Sequence, residues 1–131
     1  MKFFSTYLPL ILPMSIHVLG SGFAGTCDNI SFTGNSTLQA DCLEINGQRT
    51  TSTVDLNKCI TNRDGNLVAD KEGGFAGSCR NCDFDGDSDT DLSCECRDFR
   101  GDYWWRQIDL DTFVDNSNGN LTCEGADKQF Y

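Results

Sequence analysis

The chain has 131 residues, with 20 Asp and Glu against 10 Lys and Arg, a formal net charge of −10, and 38% apolar residues. At this length one compact domain, or two small intertwined halves, is expected. A chain this negative, with no basic stripe, is excluded as a nucleic-acid binder, and its composition excludes a membrane channel or a disordered tail.

Residues 1–20 read as a signal peptide. Lys2 gives a positive start, Phe3 through Leu19 is almost free of charge, and Gly20, Ser21 and Gly22 are small enough for cleavage after Gly20 or Gly22. Pro9 and Pro13 interrupt the apolar run and no stop-transfer flank follows, so membrane insertion is the weaker reading. Cleavage removes His17, the one histidine of the chain. Export predicts a secreted protein in an oxidising compartment, where the eight cysteines pair. Sequons at Asn29, Asn35 and Asn120 fit a secreted glycoprotein.

Residues 21–131 contain two copies, repeat one over 21–72 and repeat two over 73–131. Phe23-Ala24-Gly25-Thr26-Cys27-Asp28-Asn29 recurs 52 residues later as Phe75-Ala76-Gly77-Ser78-Cys79-Arg80-Asn81. Val54-Asp55-Leu56-Asn57 and Asp64-Gly65-Asn66-Leu67 recur 54 residues later as Ile108-Asp109-Leu110-Asp111 and Asn118-Gly119-Asn120-Leu121. Two copies of a period near fifty suggest a pseudo-symmetric pair, not a solenoid.

Each copy reads as β structure. Leu38, Ala40 and Cys42 alternate, as do Leu92, Cys94 and Cys96, so one side of each strand faces inward. Gly34 and Gly86 sit where the first hairpins reverse. A third strand follows at Arg49 to Val54 and at Tyr103 to Ile108. Next, Asp55-Leu56-Asn57 and Asp109-Leu110-Asp111 predict one helical turn with an Asp at its start. Asp64-Gly65 and Asn118-Gly119 then signal a second hairpin.

The repeat also constrains the cysteines. Cys27–Cys42 and Cys79–Cys96 occupy equivalent places across the first hairpin, each closing a loop worth about 3 kcal/mol of unfolded-state restriction. Cys82 and Cys94 lie on the strands already joined by the second of these, which pairs them, and Cys59 with Cys123 follows by elimination. A four-thiolate zinc site at Cys79, Cys82, Cys94 and Cys96 is disfavoured in an exported chain. Cys79-Arg80-Asn81-Cys82 has no thioredoxin-like surroundings for a redox motif.

Two tandem copies of F-x-x-[TS]-C-x-N, a hairpin closed by a second Cys, D-L-[ND] and [DN]-G-[SN]-L resemble the cyanovirin-N homology (CVNH) lectins, in a secreted, disulfide-rich variant of the kind seen in fungi. The resemblance runs from Phe23 to Cys123. It implies an all-β, elongated, pseudo-symmetric fold with short 3-10 turns, in which the copies exchange their final hairpins. It further implies a lectin for oligosaccharides or glycoproteins, with α1,2-linked mannose favoured. Neither catalysis nor cofactor nor metal is implied, and the chain is expected as a monomer or a domain-swapped dimer with the hinge at Asp70 to Gly74.

On that resemblance one sugar site combines Thr61, Asn62, Arg63 and Asp64 with Gly73, Gly74, Gly77 and Ser78, and with Arg97 and Asp98. The other combines Gly22, Gly25 and Thr26 with Leu43 to Ile45 and with Asn116, Ser117 and Asn118. Asn, Asp and Thr side chains with turn backbone groups match vicinal sugar hydroxyls, which both donate and accept. Leu43 and Ile45 stand where the family commonly carries polar groups, which favours the first site.

Blander readings compete at each position. The Asp-Gly and Asn-Gly pairs serve turns whether or not sugar binds. Trp104 and Trp105 are adjacent on a strand, so one is expected in the core and the other as packed or solvent-facing filler, with sugar stacking as its alternative. Asp83, Asp85, Asp87, Asp89 and Asp91 resemble a calcium loop, but Gly86 is misplaced for an EF-hand and no Glu closes it. With no mature histidine and paired cysteines, nucleophile–base catalysis lacks its usual groups; carboxylates are abundant enough for a glycosidase, but a chain this small with shallow turns offers little cleft to desolvate an acid. A structural or interaction module of the same fold without sugar binding is the alternative function.

Overall fold

The computed structural model describes residues 22–86 and 89–128. The predicted signal segment and Asp87 of the acidic run lie outside the described residues.

Among the described residues, ten strands follow one plan twice. Copy one supplies β1 (Cys27–Thr33), β2 (Thr37–Leu43) and β3 (Arg49–Asp55), then the hairpin β4 (Ile60–Arg63) and β5 (Asn66–Ala69). Copy two supplies β6 (Cys79–Phe84), β7 (Asp91–Arg97) and β8 (Tyr103–Asp109), then β9 (Asp115–Ser117) and β10 (Asn120–Thr122). The result is two three-stranded sheets and two two-stranded hairpins, all antiparallel. Single 3-10 turns at Phe23–Gly25 and Phe75–Gly77 precede the sheets, and others at Leu56–Lys58 and Leu110–Thr112 follow them. Asp55 and Asp109 cap the latter pair, accepting from the N–H of Asn57 and Asp111, as their position in D-L-[ND] predicts.

The hairpins are exchanged. Leu121 of β10 donates its N–H to Ser52 Oγ of β3 at 2.9 Å, which seats the copy-two hairpin on the copy-one sheet. Arg106 of β8 donates from Nε to Asn66 Oδ1 of β5 at 2.9 Å, the reciprocal contact. Each exchanged hairpin turns on two residues of positive φ, Asp64 (55°) with Gly65 (90°) and Asn118 (51°) with Gly119 (94°). That is the type I′ requirement, and it explains the dipeptides.

The core carries the same pairing. Phe23 and Phe75, Leu38 and Leu92, Leu56 and Leu110, and Ile60 and Val114 are fully buried in equivalent places. Because β2 and β7 alternate, Leu38, Ala40 and Cys42, and Leu92, Cys94 and Cys96, all point inward. Cys27–Cys42, Cys79–Cys96, Cys82–Cys94 and Cys59–Cys123 are the disulfides. Since all eight sulfurs are in these bonds, no thiolate remains for zinc.

One expectation is overturned. Neither Trp104 nor Trp105 is core: they are 47% and 57% exposed. The hairpin docked under β8 ends at Gly65, and the Trp104 indole lies over that turn with its N–H donated to Asp98, so its outer half stays in solvent. A second feature was invisible in the sequence. Asn29 and Asn81 take left-handed φ values of 51° and 52° at a bulge in β1 and β6, and donate to Asp41 and Glu95. The Asn of C-x-N is therefore a bulge residue.

Candidate functional site

Each exchanged hairpin brings its tip against the 3-10 turn and the second loop of the other copy's sheet. At the copy-two sheet, Asn62 fixes this junction. Its Nδ2 donates to Ser78 Oγ at 2.8 Å and to the Arg97 carbonyl at 2.9 Å, and its Oδ1 accepts from Gly65 N–H at 2.8 Å. Asp64 Oδ1 accepts from Phe99 N–H at 2.9 Å. A Cβ at Gly65 would meet Asp98 at 3.3 Å and Trp104 at 3.4 Å, so glycine permits the turn and lets it dock.

Asp98 organises the facing loop. Its Oδ1 accepts from the N–H of Arg100 and Asp102, and its Oδ2 from the Trp104 indole at 2.8 Å. The Trp104 bond, followed by the backbone bond from Asp102, holds its carboxyl below the usual carboxylate range. The predicted site residues Asn62 and Asp98 thus come together, but their polar atoms are committed to the fold. Thr61 is committed too, sharing its hydroxyl between the carbonyls of Gly73 and Asp70. Arg63 pairs with Asp70 at 2.6 Å. Gly73 has φ 73°, pressed so closely on the Asn57 carbonyl that no Cβ fits, while Gly74 donates its N–H to the same carbonyl.

Among the described residues, nothing takes up the second carboxylate oxygen of Asp64, the Ser78 hydroxyl proton or the Arg97 guanidinium, and the Phe99 side chain is exposed beside them. Gly77 adds no side chain, and a Cβ there would meet nothing. Phe99 is 87% exposed at the loop tip, a residue that no motif singles out. The signal was its repeat equivalence with Ile45, 54 residues earlier and 90% exposed.

The other tip follows the same scheme. Asn116 Nδ2 donates to Thr26 Oγ1 and to the Leu43 carbonyl, both at 2.9 Å, and its Oδ1 accepts from Gly119 N–H. Asn118 Oδ1 accepts from Ile45 N–H at 2.8 Å. Gly22 has φ 112° beside Asp111, while Gly25 faces open space and Ser117 is exposed. Its rim is formed by Leu43, Glu44 and Ile45, less polar than the rim formed by Arg97, Phe99 and Arg100.

Among the described residues, no three His, Cys, Asp or Glu side chains are grouped to hold a metal, and no helix is long and apolar enough to cross a membrane. In the acidic run, Asp91 has its carboxyl pushed up by burial and by the charges of Asp89 and Asp109.

A sequence profile of the CVNH domain matches residues 23–122. The fold is similar to that of the CVNH protein of Gibberella zeae, at 30% identity and TM-score 0.67, over 77% of this chain and 95% of that one. The T. borchii CVNH protein matches at 28% identity and TM-score 0.66, over 79% and 99% of the two chains. Microvirin, solved as a complex with mannobiose, matches at 29% identity and TM-score 0.66, over 78% and 97%.

Proposed function

This chain belongs to the CVNH family, and from that premise we propose that it is a carbohydrate-binding lectin selective for mannose-type oligosaccharides, α1,2-linked mannose above all. The complex of microvirin with mannobiose supports mannose as the sugar. The observation that carries the reading is the shallow tip at the copy-two sheet. Asn62 and Asp98 hold its backbone rigid by hydrogen bonds, while Asp64, Ser78 and Arg97 leave donors and acceptors facing solvent. Preorganised polar groups around a shallow surface match adjacent hydroxyls at little ordering cost. The copy-one tip, with Leu43 and Ile45 on its rim, binds more weakly. The reaction is binding alone, without catalysis.

A glycan array tests this. Terminal α1,2-linked mannose should lead the bound set. Asp64→Asn combined with Phe99→Ala keeps the acceptor for Phe99 N–H and should weaken binding about 10-fold or more, because a charge-assisted hydrogen bond and an exposed ring are lost. Retained affinity in that variant moves the site elsewhere, and an array with no bound glycan leaves the sugar-free module of the same fold as the function. The export reading is carried by residues 1–20 and by the exposure of Asn29, Asn35 and Asn120. N-terminal sequencing of the secreted product should begin at Ser21 or Phe23.

A further inference from the structure

Apart from Arg97 at its end, the outer face of the copy-two sheet carries an aromatic surface that the tip site does not use. Across β7 and β8 the outward pairs are Arg97 with Tyr103, Glu95 with Trp105, and Ser93 with Gln107. Arg80 of β6 covers Tyr103, its Cζ 3.5 Å from the ring centroid, and faces Glu95 at 3.4 Å. Asn81 donates to the same Glu95 carboxylate. Tyr103 and Glu95 are therefore occupied, and Trp105 is the aromatic ring left open beside them. A shallow depression of about 390 Å³ lies there, lined by Ser93, Trp105, Arg106 and Gln107. Neither the Ser93 hydroxyl nor the Gln107 amide has a hydrogen-bond partner among the described residues.

The fold does not require this surface. In copy one the same outward positions hold Arg49, Thr51 and Thr53 opposite Leu43, Asp41 and Gln39, and the sheet forms in the same register. An indole in place of Thr51 costs exposed apolar area and adds nothing to the core, since Trp105 points away from it. The patch is also small for a protein partner. The other exposed large apolar side chains, Ile45, Phe99 and Trp104, lie at the tips or on the opposite side. A stable protein interface needs about 1,200 Å² and several buried anchors.

We infer that Trp105, with Ser93 and Gln107, forms a second saccharide platform on the flat sheet face, for a neutral β-1,4-linked gluco-configured chain. Equatorial substituents leave axial C–H bonds on both ring faces, so such a ring lies flat on an indole. Its hydroxyls or acetamido groups then point sideways, where the Gln107 amide can donate and accept and the Ser93 hydroxyl can do both. An axial hydroxyl would interrupt that contact. The open sheet lets a long chain pass over it, in contrast to the tips, which suit terminal sugars.

Calorimetric titration of the whole protein with cellohexaose and with chitohexaose tests the platform. At least one should bind. Trp105→Thr, which installs the copy-one residue and so preserves the strand, should weaken that binding about 10-fold or more. Asp64→Asn with Phe99→Ala should leave it unchanged, which separates this surface from the tip whether or not the tip binds mannose. The inference is overturned if neither hexaose binds, or if Trp105→Thr binds as well as the unaltered chain. It is equally overturned if Trp105→Thr converts a dimer to a monomer in sedimentation velocity, because the occupant of the face is then a second copy.

Discussion

Asn62 and Asn116 occupy the same place in the two halves, and each carries its side-chain amide from an exchanged hairpin onto the other copy's sheet. Each also accepts from the glycine N–H of its own turn. One side chain thereby fixes the turn, the 3-10 segment and the second loop at both ends of the molecule.

Replacing Asn62 by Ala should cost about 1–3 kcal/mol, since it leaves partly buried partners unsatisfied. At about 3–5 °C per kcal/mol for a chain of this size, calorimetry resolves the loss. Asn62→Asp should be nearly as damaging, because a carboxylate still accepts from Gly65 but cannot donate to Ser78 and Arg97. An unchanged melting temperature in both variants would remove the bracing role.

The cystines should differ in value. Cys59–Cys123 spans 64 residues and restricts the unfolded chain by about 4 kcal/mol. Cys82–Cys94 spans 12 residues, for about 3 kcal/mol, and its copy-one equivalents are Ile30 and Ala40. Cys82→Ile with Cys94→Ala copies an apolar solution the fold already uses. It should lower the denaturation midpoint less than Cys59→Ala with Cys123→Ala.

The same bond bears on domain swapping. If the halves exchange between two chains across Asp70 to Gly74, the Cys59 and Cys123 that meet belong to different chains. A swapped dimer is then covalent and runs as a dimer on a non-reducing gel, while the oxidised monomer should not convert until reduced. A dimer with swapped halves that separates without reductant contradicts this.

Asp98 gives a pH signature. Its carboxyl is lowered in the folded state by the Trp104 indole first and then by the loop N–H groups. Its contribution is therefore complete above the unfolded value near about 3.9 and disappears as pH falls through the lower folded value. The melting temperature of the unaltered chain should exceed that of Asp98→Asn at pH 6, and the gap should close below about pH 4. A constant gap across that range would show that the carboxylate charge is irrelevant.

Much of this was legible in the sequence. Alternation of Leu38, Ala40 and Cys42 set one strand face, Asp64-Gly65 and Asn118-Gly119 set the hairpins, and the doubled Cys27…Cys42 spacing set the pairing, because strand periodicity, turn geometry and cross-strand cystines are properties of short segments. Tertiary structure decided how the polar groups are used. Asn62, Thr61 and Asp98 read as sugar ligands, yet Asp98 and Thr61 spend their hydrogen bonds on their own neighbouring loops and Asn62 spends its own on the other copy once the hairpin docks. The partners lie as far as 35 residues away for Asn62 and 90 for Asn116, beyond any local pattern. The docked hairpin reaches Trp104 only with its turn and covers half of the indole, so the inward-facing tryptophan stays half exposed, while Trp105 faces outward. Sequence assigns a side chain to a face, but only the folded neighbours determine whether that face is covered and which of its polar atoms remain free.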